Sequence, residues 1–257
     1  MVSVLQGKRI LITREEKQAN DFADKVLQYG GIPVLVPLLK IRCQHNQPNR
    51  QLLRNRDSYK WLFFTSTNGV HCFFNLLHEE RMDHTCLSES KFAAVGRKTA
   101  QALETYGYQA DFTPTTYNAE TMTNEFFARH SHLEEPVLLI RGNLSRDILP
   151  NWFNNQGIRY QTMEVYATGY HDAMKDRLNA TLKKHYLDAM TFTSPSSVDA
   201  FMTMKDVQLD NAVPVCCIGT TTEKRAAELG LGNLIVPDTF TIDDMLVRLE
   251  NYFEQKG

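Results

Sequence analysis

Apolar residues in this chain gather in short runs, and amphipathic stretches separate one run from the next. Ile10-Leu11-Ile12, entered from Lys8-Arg9 and left through Thr13-Arg14, predicts a buried strand. Between Glu15 and Tyr29 the apolar positions Ala19, Phe22, Ala23, Val26 and Leu27 keep the spacing of a helix with one buried face, and Gly30-Gly31 closes it. A strand from Ile32 to Val36 follows. Strand, helix and strand with joints this short require a parallel crossover, which puts helices over both faces of the sheet. Pro37 to Ile41 is extended and proline-led, suited to an edge or a linker.

The same grammar recurs. After a polar stretch from Gln44 to Lys60, Trp61 to Phe64 predicts a strand, and Val70, Phe73, Phe74 and Leu77 mark one face of the helix behind it. Phe92 to Val95 is the next strand, Thr99 to Tyr106 the next helix, and Gly107 ends that helix before a further strand to Phe112 and a turn at Pro114. Asn118 to Arg129 is helical again. Pro136 to Gln161 then repeats the unit Lys8 to Pro37, with Arg141 where Arg14 stood and Gly157-Ile158 where Gly31-Ile32 stood.

A second repeat runs alongside. Phe63-Phe64-Thr65-Ser66-Thr67-Asn68-Gly69-Val70 is echoed by Met190-Thr191-Phe192-Thr193-Ser194-Pro195-Ser196-Ser197-Val198, about half the chain away, and Val95-Gly96-Arg97-Lys98-Thr99 is echoed by Ile218-Gly219-Thr220-Thr221-Thr222. At 257 residues the chain has room for two related α/β domains of ordinary size. On the residues alone, two arrangements stay open. The copies can follow one another, or the N-terminal unit can pack with the C-terminal part and leave the middle as an insert joined by extended linkers.

Charge and cysteines narrow the setting. With 28 Lys plus Arg against 30 Asp plus Glu, the net charge of −2 offers no general attraction to nucleic acid or an anionic membrane. No apolar run reaches bilayer length and the N-terminus lacks a secretory pattern, so the expectation is a cytoplasmic protein. The five cysteines, Cys43, Cys72, Cys86, Cys216 and Cys217, contain no C-x-x-C pair and fit a reduced compartment best.

Several chemistries are missing from the strand-to-helix turns. Neither G-x-G-x-x-G nor G-x-x-x-x-G-K-[ST] occurs, so no dinucleotide or nucleoside-triphosphate site is indicated. Ser66 and Ser194 lack the flanking glycines of a nucleophile elbow. The eight histidines are scattered, and His130-x-His132 has no partner at metal-ligand spacing. What the turns do carry is small and polar: Thr13, Thr65, Ser66, Asn68, Gly96, Thr99, Thr193, Ser194, Ser196, Gly219 and Thr222. Any one of them taken singly reads first as a helix cap. As a set at strand ends they suit carboxylate or phosphate oxygens, because ligands of open α/β sheets bind there and helix N-termini present free N–H groups.

The ordered set of motifs, Phe64-Thr65-Ser66-Thr67-Asn68-Gly69-Val70, Val95-Gly96-x-x-Thr99, Ile140-Arg141-Gly142 with Arg146, Gly157, Val165-Tyr166-x-Thr168, Phe192-Thr193-Ser194-Pro195 and Ile218-Gly219-x-x-Thr222, resembles the uroporphyrinogen-III synthases. One departure is Asn143 after Gly142, where the family often has a second glycine. The resemblance implies two HemD-like, flavodoxin-like α/β domains with parallel sheets flanked by helices and a two-stranded β linker. The expected pieces are residues 1–36 with 170–257, an inserted domain over 42–161, and linkers at 37–41 and 162–169. It also implies a monomeric hydro-lyase without a cofactor, which cyclises hydroxymethylbilane to uroporphyrinogen III with loss of water and inversion of the last pyrrole ring. Loss of the hydroxyl requires a proton, and Tyr166 is the candidate donor. Arg14, Arg141 and Arg146 are candidate carboxylate clamps, and the strand-end set with Gly142 the remaining substrate contacts. A different class stays as the alternative: a non-enzymatic two-lobed binding protein for an anionic metabolite.

Overall fold

The computed structural model describes residues 4–116, 119–130, 133–184, 186–210 and 212–256, so Asn118 and His132 of the expectations above lie outside the described residues. The chain divides into two compact units, Met1–Lys40 with Gly169–Gly257, and Ile41–Thr168. The first unit opens with β1 (Arg9–Ile12), α1 (Glu16–Gln28) and β2 (Ile32–Leu35). After β3 (Leu39–Cys43), the second unit comprises α2 (Gln47–Arg54), β4 (Trp61–Phe64), α3 (Thr67–Glu79), β5 (Lys91–Ala94), α4 (Arg97–Glu104), α5 (Ala119–Arg129), β6 (Val137–Gly142) and α6 (Ile148–Asn155). β7 (Tyr160–Tyr170) leads back to α7 (Lys175–Lys183), β8 (Ala189–Phe192), α8 (Pro195–Met204), β9 (Val215–Cys217), α9 (Thr220–Glu228), β10 (Leu234–Ile235) and α10 (Ile242–Glu254).

The first unit is built on a five-stranded parallel sheet in the order β10-β9-β8-β1-β2. Its inner strands β1, β8 and β9 are buried almost throughout because both faces are covered, while the edge strand β2 is only partly buried. Ile10 and Ile12 pack with Phe22, Val26, Met245 and Leu249 from α1 and α10. Leu11, on the opposite face, packs with Leu178, Val198, Phe201 and Ala226 from α7, α8 and α9.

The second unit repeats this plan in the order β3-β7-β6-β4-β5. Leu62 and Phe64 meet Val70, Phe73, Phe74 and Leu103 of α3 and α4 on one face. Trp61 and Phe63 meet Met122, Phe126 and Phe153 of α5 and α6 on the other. Burying one such phenylalanine fully stabilises by about 1.5–3 kcal/mol. The extra strand β3 runs antiparallel to the long β7, since Gln44 N–H donates to the Val165 carbonyl while His171 N–H donates to that of Leu38.

Three expectations change. The polar stretch after Gln44 contains α2, which buries only Asn49 and Leu53 and is started by Asn46, whose side chain accepts the Asn49 N–H. The strand expected before Phe112 reduces to a single bridge between Ala93 and Phe112, because Pro114 soon follows and cannot donate to a ladder. Against the reading of a reduced set of cysteines, Cys43 of β3 and Cys72 of α3 form a disulfide with their Cα atoms 5.2 Å apart. Cys86, Cys216 and Cys217 are free thiols.

Candidate functional site

The polar residues singled out in the sequence stand at the carboxyl ends of the parallel strands in each unit. In the first unit, Ser194 caps α8: its hydroxyl accepts the Ser197 N–H at 3.2 Å and lies 3.0 Å from the Ser196 hydroxyl. Thr193 beside it is half-buried. Gly219 caps α9 by backbone alone, and the ring of Phe240 approaches to 3.2 Å of the position a Cβ there would take. Thr222 is buried one turn in. Thr13 is buried as well, its hydroxyl donating to the Thr191 carbonyl at 2.9 Å. Arg14 follows at the surface edge of β1, with Nε donating to Gln18 Oε1 at 2.5 Å. Burial draws its guanidinium below the ordinary value, against the pull of Asp21 and Glu15 in the other direction.

The second unit mirrors these caps. Ser66 caps α3 with nearly the same backbone angles as Ser194, accepting the Gly69 N–H at 3.0 Å. Gly96 caps α4 by backbone alone, and Thr99 is buried behind it. Thr65 turns its hydroxyl back to the Ile140 carbonyl at 3.3 Å, while Asn68 sits in the first turn of α3.

A further constellation of the second unit gathers around Tyr166. The register of β6 on β7 slips between Arg141 and Gly142, which brings Gly142 opposite Tyr166. The phenol ring fills the space beside the glycine, and its hydroxyl lies 3.0 Å from Ser66 Oγ. Asn143 holds the strand just beyond: its side chain accepts the Thr168 N–H at 2.8 Å, and its own N–H donates to the Tyr166 carbonyl at 3.2 Å. Asn143 is therefore a brace for β7.

Tyr166, Thr65 and Ser66 share a concavity of roughly 360 Å³ with Val95, Ser145 and Arg146. Arg146 is exposed there. Arg141 differs: it is 6% exposed, its guanidinium donating to Asp147 at 2.8 Å and to the Ser145 carbonyl, so that it braces the loop between β6 and α6. Sequence reasoning missed Ser145 and Asp147, the loop partners of Arg141, and Phe240, which is 60% exposed on Gly219. The signal for the loop in the sequence was the run Asn143 to Asp147 behind a strand, polar except at Leu144.

Other reactive groups are built differently. Among the described residues no cluster of His, Cys, Asp and Glu could hold a metal ion. Burial pushes the Cys217 thiol up to about 12 and raises that of Cys216 too, so neither is a nucleophile at neutral pH. No helix among the described residues is long and apolar enough to cross a membrane.

A family model described as uroporphyrinogen-III synthase HemD matches residues 20–247. The chain is 29% identical over 251 residues to the porphyrin biosynthesis protein HemD of Ruminiclostridium josui, covering 97% of itself and 49% of that protein, and so spans about half its length. It is also 29% identical over 244 residues to a putative uroporphyrinogen-III synthase of Methanocaldococcus jannaschii, covering 93% of itself and 96% of that protein. Among solved structures, uroporphyrinogen-III synthetase from Helicobacter pylori superposes with a TM-score of 0.65 at 16% identity, over 96% of this chain and all of the other. A mutant synthase from Thermus thermophilus gives 0.62 at 16% identity, over 98% and 100%. These two likenesses establish the fold.

Proposed function

Since the chain belongs to the uroporphyrinogen-III synthase HemD family, we propose that it cyclises hydroxymethylbilane to uroporphyrinogen III, and that Tyr166 is its proton donor. The observation that supports this mechanism is the placement of the Tyr166 hydroxyl at the cavity it shares with Thr65, Ser66 and Arg146. The terminal carbon–oxygen bond of the substrate breaks, driven by the electron pair of the adjoining pyrrole nitrogen, and the oxygen leaves as water with the proton of Tyr166. The cation so formed is attacked by the last pyrrole ring at its substituted carbon, giving a spiro centre. The bond from the spiro carbon to the methylene of the preceding ring then breaks, and the methylene cation so released is captured by the other α-carbon of the same pyrrole, across its nitrogen, which inverts that ring. The closing carbon then releases a proton, which restores the phenol.

The rest of the site serves position. Spontaneous closure does not invert the ring, so the protein must hold the chain ends in one geometry and keep water from the reactive cation. In this reading the exposed guanidinium of Arg146 holds a substrate carboxylate as a charge-assisted pair. The backbone N–H groups at the starts of α3 and α4 bind others. Arg141 acts through the loop that presents Arg146. A cytoplasmic monomer working without a cofactor belongs to the same proposal, since the reaction draws its electrons from the substrate.

The test is incubation with freshly made hydroxymethylbilane, followed by separation of the isomers. Formation of isomer III faster than spontaneous closure is expected; isomer I alone, at the spontaneous rate, would rule the activity out. For the donor, Tyr166→Phe keeps the ring and removes the proton. Turnover should fall by about 10²-fold or more with the fold retained. Wild-type turnover would remove Tyr166 from the mechanism.

A further inference from the structure

The orientation of the Tyr166 proton depends on a neighbour, and this inference rests on Tyr166 being the donor. A serine hydroxyl has one proton to give and two lone pairs to offer. Ser66 already uses one lone pair on the Gly69 N–H at 3.0 Å, and its Oγ stands 3.0 Å from the Tyr166 hydroxyl. Two hydroxyls at that distance share one hydrogen bond. If Tyr166 donated, its proton would be spent on Ser66 and turned away from a substrate. If Ser66 donates, the phenolic proton stays available.

Two observations favour the second polarity. Accepting a backbone N–H at the positive end of the 13-residue α3 strengthens Ser66 as a donor. The phenol is also held in one place: with Gly142 opposite, a Cβ there would lie 2.3 Å from two of its ring carbons, so the ring occupies room that only glycine leaves. With the ring set, the direction of the O–H bond is the remaining freedom, and the contact with Ser66 removes it. We propose that Ser66 is a positioning residue that donates its hydroxyl proton to the Tyr166 oxygen, directing the phenolic proton into the cavity and steadying the oxygen as its proton leaves.

A helix cap and a positioning group can be separated, because glycine caps a helix almost as well as serine while alanine does not. Ser66→Gly should therefore lower kcat by about 10- to 100-fold with KM and melting temperature little changed. Ser66→Ala should show the same loss of kcat with a lower melting temperature, and Ser66→Thr, which keeps the hydroxyl, should recover most of the turnover. Placed on Tyr166→Phe, Ser66→Gly should cost nothing more, since the group it acts through is gone. Wild-type kcat in Ser66→Gly, a change confined to KM, or a further loss on the Tyr166→Phe background would each overturn the assignment. Loss in Tyr166→Phe without loss in Ser66→Gly rejects this inference alone, whereas full turnover in Tyr166→Phe rejects the donor reading and the inference with it.

Discussion

Gly142 and Tyr166 face one another where β6 slips its register on β7, and the tyrosine ring fills the volume a side chain at Gly142 would take. The hydroxyl end is affected too, because a Cβ would come within 2.7 Å of the phenolic oxygen. Gly142→Ala therefore displaces the ring from Ser66. Overpacking of this kind costs about 1–3 kcal/mol. Turnover should fall at least about tenfold, since a displacement near 1 Å of a reacting group is enough for such losses. Urea denaturation and steady-state kinetics on the purified variant measure both. An alanine variant with wild-type stability and turnover would mean that the ring has a second productive position.

The Cys43–Cys72 disulfide ties the edge strand β3 to α3 across a sequence separation of 29 residues. A crosslink of that span typically contributes about 2–4 kcal/mol by restricting the unfolded chain. Thermal melting with and without dithiothreitol should show a lower midpoint for the reduced protein. Cys43→Ala with Cys72→Ala should melt near the reduced value and ignore the reductant. Equal melting of the wild type in both conditions would show that the crosslink adds no net stability.

What the sequence made legible follows from how each element is held. β1, β4, β6 and β8 are buried on both faces, so they survive as short, mainly apolar runs, and α1 buries one regular stripe. α2 hides because it buries only Asn49 and Leu53; its signal was the cap at Asn46 with Pro48 just inside the start. The disulfide was invisible because Cys43 and Cys72 meet only once β3 and α3 are packed in place. The strand-end serines and glycines could be found from the repeat, but their roles could not. Arg141 illustrates the reason: a basic residue at a strand end reads alike whether it serves a ligand, its own loop or both, and here it lines the cavity while tying its loop through Asp147. The meeting of Tyr166, Ser66 and Gly142 depends on a register slip that leaves no mark in composition or periodicity.

His130 gives a pH dependence with a defined sign. It packs against Trp61 and Phe126, with ring centroids 4.9 and 4.6 Å away, and burial first, then Lys91 and Arg129, lower its pKa. The unfolded chain then takes up a proton near the ordinary value of about 6.5, while the folded chain resists until a lower pH. The contribution of His130 to stability is thus fully present above about pH 6.5 and is lost as the pH falls toward the folded value. Denaturation midpoints between neutral pH and pH 5 should decline less steeply in His130→Gln than in the wild type. Parallel slopes would show that His130 titrates alike in both states.

Thr13 separates a structural hydroxyl from a substrate contact. Its side chain is 1% exposed and donates to the Thr191 carbonyl at 2.9 Å, while the Thr191 hydroxyl donates to the Leu11 carbonyl at 2.7 Å, so the pair laces β1 to β8. A hydroxyl engaged in this way has its proton committed to the sheet. Thr13→Val keeps the shape and removes the donor from a buried acceptor, at a cost of about 1–3 kcal/mol. The expected variant is less stable in urea, yet binds substrate with an unchanged KM, and Thr13→Ser, which retains the hydroxyl, recovers part of the stability. A raised KM with unaltered stability would reverse the assignment and return Thr13 to the substrate-binding set.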